Sequence, residues 1–225
     1  MINEYTTRLT RDNLSNNVPE ELIEIRNEYR DNGVPTILTD GLNELLLTLK
    51  IKNPKRILEL GTATGISGSA MLLTCKNAVL TTVEKMPVMQ REALKNFEKF
   101  GVLDRVTSLL GDTMETVPNI QGKFDFIFLD CNKAAYPKVF PYLKNMLNEG
   151  GVLFADNVIF RGYCSGEAEV PKEYRTLIQK IQKFNDMVSA DKDLITCFFD
   201  VGDGISVSVK KWEANEKIRT TCACG

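Results

Sequence analysis

The sequence predicts an α/β fold: a seven-stranded, mostly parallel sheet with helices on both faces and a C-terminal antiparallel hairpin. Three observations predict it. From Asn53-Pro54 onward, short apolar runs alternate with helix-like stretches, the pattern of a parallel sheet joined by crossover helices. The last two apolar runs are separated only by Gly202-Asp203-Gly204, a hairpin signal. The chain has 225 residues, 43% hydrophobic and 26% charged, enough for one domain with a full core.

The elements follow in order. Residues 1–34 read as a polar, acidic N-terminal helical extension. Within it Pro19-Glu20-Glu21 opens a helix. Leu22, Ile25 and Tyr29 share one face of that helix, and Gly33 and Pro35 stop it. A second helix runs from Asp40 to Lys50 on the stripe Leu42, Leu45, Leu46 and Leu49. Strands are expected at Arg56–Leu60, Ala78–Val83, Val106–Leu110, Phe124–Leu129, Val152–Ala155, Leu194–Asp200 and Ile205–Lys211. Helices are expected from the glycine turn at Gly61–Gly68 to Cys75, at Pro87–Phe100, at Tyr136–Met146 and at Pro171–Met187. Six strands run parallel and one is reversed, with the reversed strand placed at one edge. The main domain spans 35–212, and a polar tail occupies 213–225.

Composition narrows the chemistry. The chain has no histidine. That excludes Ser-His-Asp and Cys-His nucleophilic machinery and histidine zinc ligands. Any base must be Asp, Glu, Lys, Tyr or Cys. The 28 Lys and Arg nearly balance 30 Asp and Glu, unlike the broadly basic surface of a general nucleic-acid binder. No apolar run approaches a membrane span and the N-terminus lacks a signal-peptide pattern, so a cytoplasmic protein with no membrane partner is expected. The six cysteines form no CxxC pair and read as free thiols. A redox or metal role for Cys222-Ala-Cys224 finds little support, because one pair cannot fill a thiolate metal site.

In such sheets ligands bind beyond the carboxyl ends of the strands. The residues there are Gly61–Gly68, Glu84, Asp112, Asp130 and Asp156-Asn157. The turn Glu59-Leu-Gly-Thr-Ala-Thr-Gly-Ile-Ser-Gly68 has Gly-x3-Gly spacing, not the Gly-x-Gly-x-x-Gly of dinucleotide sites. It suits a nucleoside-like ligand without a pyrophosphate, although glycine turns also serve packing alone. Glu84 can accept from a ribose diol or be a plain strand-end acid. Asp112 can accept from an adenine amino group or cap a short helix. Asp130 and Asp156 end adjacent central strands, where two carboxylates repel unless a cation joins them. With the Asn157 amide oxygen they suit Mg²⁺ or another divalent cation such as Mn²⁺ or Ca²⁺, or else they cap local turns. Lys133, three residues after Asp130, is a base candidate, because a nearby metal pushes an amine toward its neutral form. Its plainer reading is a surface lysine opening a helix.

Residues 33–212 resemble the class I S-adenosylmethionine-dependent, cation-dependent O-methyltransferases of the catechol and caffeoyl-CoA types. The matching segments are ELGTATGISG (59–68), TVEK (82–85), GDTMETVP (111–118), FDFIFLDCNKAAYP (124–137), GGVLFADNVIFRG (150–162) and FNDMVSADKDLITCFFDVGDG (184–204). The resemblance implies a Rossmann-like fold and a homodimer. It implies cofactor contacts from Glu59, Gly61, Thr62, Gly65, Ser67, Glu84, Asp112 and Asp130, metal ligation by Asp130, Asp156 and Asn157, and Lys133 as base. Lys133 lies in an Asp-x-x-Lys-x-x-Tyr pattern completed by Tyr136. Ile66 and Cys131 depart from the pattern, being usually aromatic and alanine. The implied acceptor has two neighbouring oxygens: a catechol-like small molecule, or 5-hydroxyuridine in tRNA. The segment NVIFRG and the following Lys172, Arg175, Lys180 and Lys183 resemble the bacterial tRNA 5-hydroxyuridine methyltransferases; with Arg161 these cations can contact phosphate or simply be solvated. A non-catalytic cofactor-binding module is the remaining alternative, and the presence of both Asp130 and Lys133 weighs against it.

Overall fold

The computed structural model describes residues 4–166 and 169–212; the expected tail at 213–225, with Cys222 and Cys224, lies outside them. Two helices come first, α1 (Glu4–Asn17) and α2 (Glu20–Asp31). The sequence pattern shows α2 but not α1, because α1 buries only Leu14 and one apolar position prints no helical period. Leu14, Val18 and Leu22 nevertheless join the same buried cluster as Ile57 and Phe126. Next comes α3 (Thr39–Lys52), which buries the expected leucine stripe and ends at a left-handed Asn53.

The alternating region follows as β1 (Arg56–Leu60), α4 (Ile66–Thr74), β2 (Val79–Glu84), α5 (Pro87–Lys99), β3 (Val106–Leu110), α6 (Thr113–Thr116), β4 (Phe124–Leu129), α7 (Tyr136–Met146), β5 (Leu147–Asp156), α8 (Arg175–Ala190), β6 (Leu194–Phe199) and β7 (Ile205–Lys210). The strands form one sheet in the order β3-β2-β1-β4-β5-β7-β6. β7 is the one reversed strand, pairing antiparallel with both β5 and β6.

Three expectations need correction. The reversed strand is not at the edge. β7 inserts beside β5 and buries Ile205, Ser206 and Ser208, leaving β6, with Ile195 64% exposed, as the rim. Glu149-Gly150-Gly151 does not separate α7 from its strand. β5 begins at Leu147, and the pairing with β4 shifts register between Phe124 and Phe126, where Gly150 at φ +66° lets the chain bulge. The helix expected from Pro171 opens as a 3₁₀ turn over Lys172–Tyr174 and becomes α-helical at Arg175.

Alternate residues of the central strands feed two cores. Ile57, Phe126, Phe128 and Phe154 face one layer with the α3 and α4 side chains. Leu58, Leu60, Ile127, Leu129 and Leu153 face the other, with Tyr136, Phe140 and Phe184. Helices therefore cover both faces, and the polar residues gather at the strand ends. Among the described residues no helix is long and apolar enough to cross a membrane.

Candidate functional site

A cavity of about 930 Å³ opens at the carboxyl ends of β1, β2, β4 and β5. Its walls include Gly61, Ala63, Glu84, Asp112, Asp130, Lys133, Asp156 and Asn157. The carboxylates expected at strand ends are thus brought together.

The floor is the turn after β1. Gly61 adopts φ +102°, and a Cβ there would collide with the Asp130 backbone, so only glycine lets the ends of β1 and β4 approach this closely. Gly65 adopts φ +76° at the start of α4, where a Cβ would crowd Ala93 and Phe97. Glu84 accepts from the Ala63 N–H and the Met86 N–H, both at 2.8 Å. One carboxylate thereby ties the turn to the end of β2 while still bordering the cavity. Asp112 caps α6 through the Met114 N–H at 2.9 Å and pairs with Lys85 at 2.8 Å. It is both a helix cap and a cavity-wall acid.

Glu59, Thr62, Gly65 and Ser67 sit behind that floor rather than on the cavity wall. The Glu59 carboxylate is buried and accepts from the Ser67 and Thr82 hydroxyls, and Thr82 also meets the Thr62 hydroxyl. Burial pushes the Glu59 carboxyl up to about 7, against the opposing pull of those two hydroxyls. These side chains hold the turn from below.

At the other end of the cavity, parallel pairing sets Leu129 opposite Ala155, so Asp130 and Asp156, one residue further, stand side by side. The buried Tyr136 hydroxyl lies 2.9 Å from the Leu129 carbonyl and 3.1 Å from the Asp156 carbonyl. It clamps the two strand ends together. Asp156 is 4% exposed. Burial, then the charge of Asp130, drives its carboxyl above the usual carboxylate range. Asn157 follows at φ +59°, a left-handed backbone that asparagine tolerates better than most residues.

Lys133 donates to Asp130 Oδ1 at 2.6 Å. Burial pulls its pKa down, but the charge of Asp130 and this hydrogen bond outweigh burial and leave it above the ordinary lysine value. In this arrangement Lys133 is an ammonium ion, opposite to the neutral amine that a nearby metal favours. One cation thus faces two carboxylates. Among the described residues no group of three or more His, Cys, Asp or Glu side chains gathers as a metal cluster. Asp130, Asp156 and Asn157 line the same cavity, and their oxygens are of the kind a hard divalent cation takes.

Arg161 and Cys131, noted in the sequence, are on the wall together with residues that were not. Asp203, expected only as a hairpin turn residue, accepts from the Arg161 N–H through Oδ1 and from the Ile159 and Phe160 N–H groups through its carbonyl. Phe160 and Arg161 are both left-handed, at φ +45° and +55°, and the exposed Arg161 guanidinium lies 5.8 Å from the rings of Phe160 and Tyr174. Cys131 lies on the wall, and burial pushes its thiol up to about 12, so it stays neutral. Val34, Pro35, Thr36 and Leu38 also line the wall; their advance signal is their place between two helices, the first of which Pro35 helps to stop.

The O-methyltransferase family matches residues 13–211 of the chain. A caffeoyl-CoA O-methyltransferase of Populus kitakamiensis is 28% identical over 171 residues, 72% of this chain and 73% of that protein. A catechol O-methyltransferase of Niastella koreensis is 29% identical over 179 residues, 76% of this chain and 79% of its own length. The solved structure of the SAH-bound Podospora anserina methyltransferase PaMTH1 shares the fold with a TM-score of 0.79 at 26% identity, covering 95% of this chain and 97% of that one.

Proposed function

The chain belongs to the O-methyltransferase family, and from that premise we propose that it moves the sulfonium methyl of S-adenosylmethionine onto a hydroxyl beside a second oxygen, with a divalent cation. The observation that carries this reading is the placement of Asp130, Asp156, Asn157 and Lys133 on one cavity with Glu84 and Asp112.

Each residue then has a task. Glu84, already oriented by two backbone N–H groups, accepts from the ribose diol. Asp112 stands on the adenine side. The turn from Gly61 to Gly65 admits the methionine part, with Glu59, Thr62 and Ser67 fixing its shape from behind. Asp130, Asp156 and Asn157 would hold the cation, Mg²⁺ or a similar ion such as Mn²⁺ or Ca²⁺. When bound, such a cation supplies charge stabilisation for an acceptor oxygen losing its proton. Lys133 Nζ would take that proton after giving up its own to solvent and becoming a neutral amine, a loss that Asp130 opposes while the two are paired. The methyl group passes by direct displacement, so the chain needs no covalent nucleophile.

The names of the relatives support a catechol-like or phenolic acceptor. A second reading, 5-hydroxyuridine in tRNA, is favoured by Arg161 and its aromatic neighbours Phe160 and Tyr174 near the cavity and by the exposed Lys172, Arg175 and Lys183. The reading includes a cytoplasmic location and a homodimer, the latter supported by the exposed Tyr5 and Leu9 on α1 and Leu47 and Ile51 on α3. The test is incubation with methyl-labelled S-adenosylmethionine and Mg²⁺ against a catechol panel and bulk tRNA bearing 5-hydroxyuridine. Label on a catechol supports the first acceptor, and label on tRNA alone supports the second. Label on neither, with cofactor bound, overturns the reaction.

A further inference from the structure

Asp203 and Gly204, in the turn between β6 and β7, accept from four consecutive backbone N–H groups of the segment that follows Asn157. The Gly204 carbonyl accepts from Val158 at 2.9 Å, the Asp203 carbonyl from Ile159 and Phe160 at 3.1 Å each, and Asp203 Oδ1 from Arg161. Gly204 sits at φ +85°, and a Cβ there would collide with Ile159, so glycine is what lets the turn come this close. Residues 158–161 are thus cast against the turn.

The shape they take is an unfavourable one. Phe160 and Arg161 are left-handed in succession, at φ +45° and +55°. Residues other than glycine adopt that backbone rarely, and they keep it only where the surroundings hold it. The carbonyl bonds from Asp203 would survive any substitution there, but the bond to the Arg161 N–H is made by the carboxylate. That bond is charge-assisted and therefore among the stronger kind. Asp203 also adds a negative charge to a cavity wall that already carries Asp130 and Asp156, which like charges oppose. A carboxylate in this place calls for a task.

Its position says which end of the cavity it serves. Ile205, two residues on, pairs with Asp156, so the turn stands on the β5 side, across the sheet from the strand ends that carry Gly61, Glu84 and Asp112. Arg161 lines the cavity there, its guanidinium 5.8 Å from the rings of Phe160 and Tyr174.

We infer that Asp203 is a positioning residue for the methyl acceptor: its carboxylate holds Arg161 left-handed and so sets the wall beside Asp156 and Asn157. This rests on the proposed methyl-transfer reaction. Cofactor binding, at the other end of the cavity, does not depend on it.

The experiment measures initial rates with S-adenosylmethionine and Mg²⁺, using catechol and tRNA bearing 5-hydroxyuridine as acceptor probes. The proteins are wild type, Asp203→Ala, Asp203→Asn, Arg161→Gly and the double variant Asp203→Ala with Arg161→Gly. Calorimetry with S-adenosylhomocysteine and amide hydrogen exchange at Arg161 accompany the rates. Asp203→Ala is expected to raise KM roughly tenfold for the probe that wild type methylates, the effect of one lost hydrogen bond. Its affinity for S-adenosylhomocysteine stays near wild type, and exchange at Arg161 speeds up. Asp203→Asn keeps an acceptor oxygen without the charge and falls between the two. Glycine at 161 adopts the left-handed backbone unaided, so Asp203→Ala costs less in that background than alone.

An unchanged acceptor KM in Asp203→Ala overturns the inference, as does a rise matched by an equal loss of S-adenosylhomocysteine affinity. Exchange at Arg161 no faster than in wild type, or an equal cost in both backgrounds, overturns it too. If Asp203→Ala does not fold, Asp203→Asn decides, and wild-type KM and exchange in that variant overturn the inference. A wild type that methylates neither probe overturns the methyl-transfer reading and this role with it. A wild type that transfers methyl, with variants that match it, overturns the role of Asp203 alone.

Discussion

The Lys133 ammonium lies 2.6 Å from Asp130 Oδ1, with 17% and 23% of the two side chains exposed. The proposed base and a proposed metal ligand therefore hold each other at rest. Lys133 can take a proton only after losing its own, and Asp130 opposes that loss. Lys133→Ala should lower kcat by ~10²–10⁴-fold, the range expected for removing a general base, while S-adenosylhomocysteine affinity changes little. Steady-state kinetics with calorimetry checks this, and a variant with kcat near wild type would remove Lys133 from the proton step.

Asp130 stands beside Asp156 because the parallel register aligns their strands. Removing one carboxylate takes away one of the two anionic groups proposed to hold a hard cation and weakens its binding. Asp130→Ala should abolish turnover while S-adenosylhomocysteine binding largely survives. Excess chelator should silence the wild type, and added Mg²⁺ should restore it. Equal rates with and without chelator would end the metal role.

Tyr136 closes the Asp-x-x-Lys-x-x-Tyr spacing, yet its ring is fully buried and its hydroxyl faces two carbonyls, not the cavity. Its task is to clamp the ends of β4 and β5. Tyr136→Phe leaves those carbonyls without that donor, at a cost of about 1–3 kcal/mol. The Mg²⁺ concentration for half-maximal activity should rise with the loss of stability, since the two aspartates lose their clamp. Thermal melts and a metal titration read both effects. A variant with wild-type values for both would show that the hydroxyl is dispensable.

The parts of this arrangement that were legible in the sequence share a physical cause. Buried parallel strands print as near-continuous apolar runs, so Phe124–Leu129 and the acid after it stand out. Asp130, Glu84 and Asp112 follow because the strand ends of such a sheet face its cavity, which all three line. The hidden parts depend on contacts between segments distant in sequence. Helix α1 buries one residue and leaves no period. Arg26 looks like any helical arginine until its Ile37 and Thr39 partners, more than ten residues away, are seen. Ser67 shows in a glycine-turn motif, but its bond to Glu59 places it behind the turn rather than in the cavity. The edge position of β6 depends on which strand β7 joins, and a hairpin signal does not encode that choice.

Glu59 offers a prediction that does not depend on turnover. Its carboxyl is fully buried beneath the glycine turn, and its pKa is raised from 4.5 to about 7 in the folded chain. Between those values the folded state holds a proton that the unfolded chain has released. Stability from this group is therefore complete below about pH 4.5 and is lost as pH rises through 7. A shift of that size corresponds to on the order of 3 kcal/mol for a buried group. Asp156 shifts in the same direction, so the wild-type profile alone does not isolate Glu59. Glu59→Gln keeps the shape, retains one acceptor oxygen and cannot ionise. Relative to wild type, its stability should rise steadily from pH 4.5 to 7 and level off above. Denaturant melts of both proteins across pH 4 to 8 give the difference directly. A difference that is flat with pH would mean Glu59 ionises normally, with the Ser67 and Thr82 hydroxyls compensating its burial.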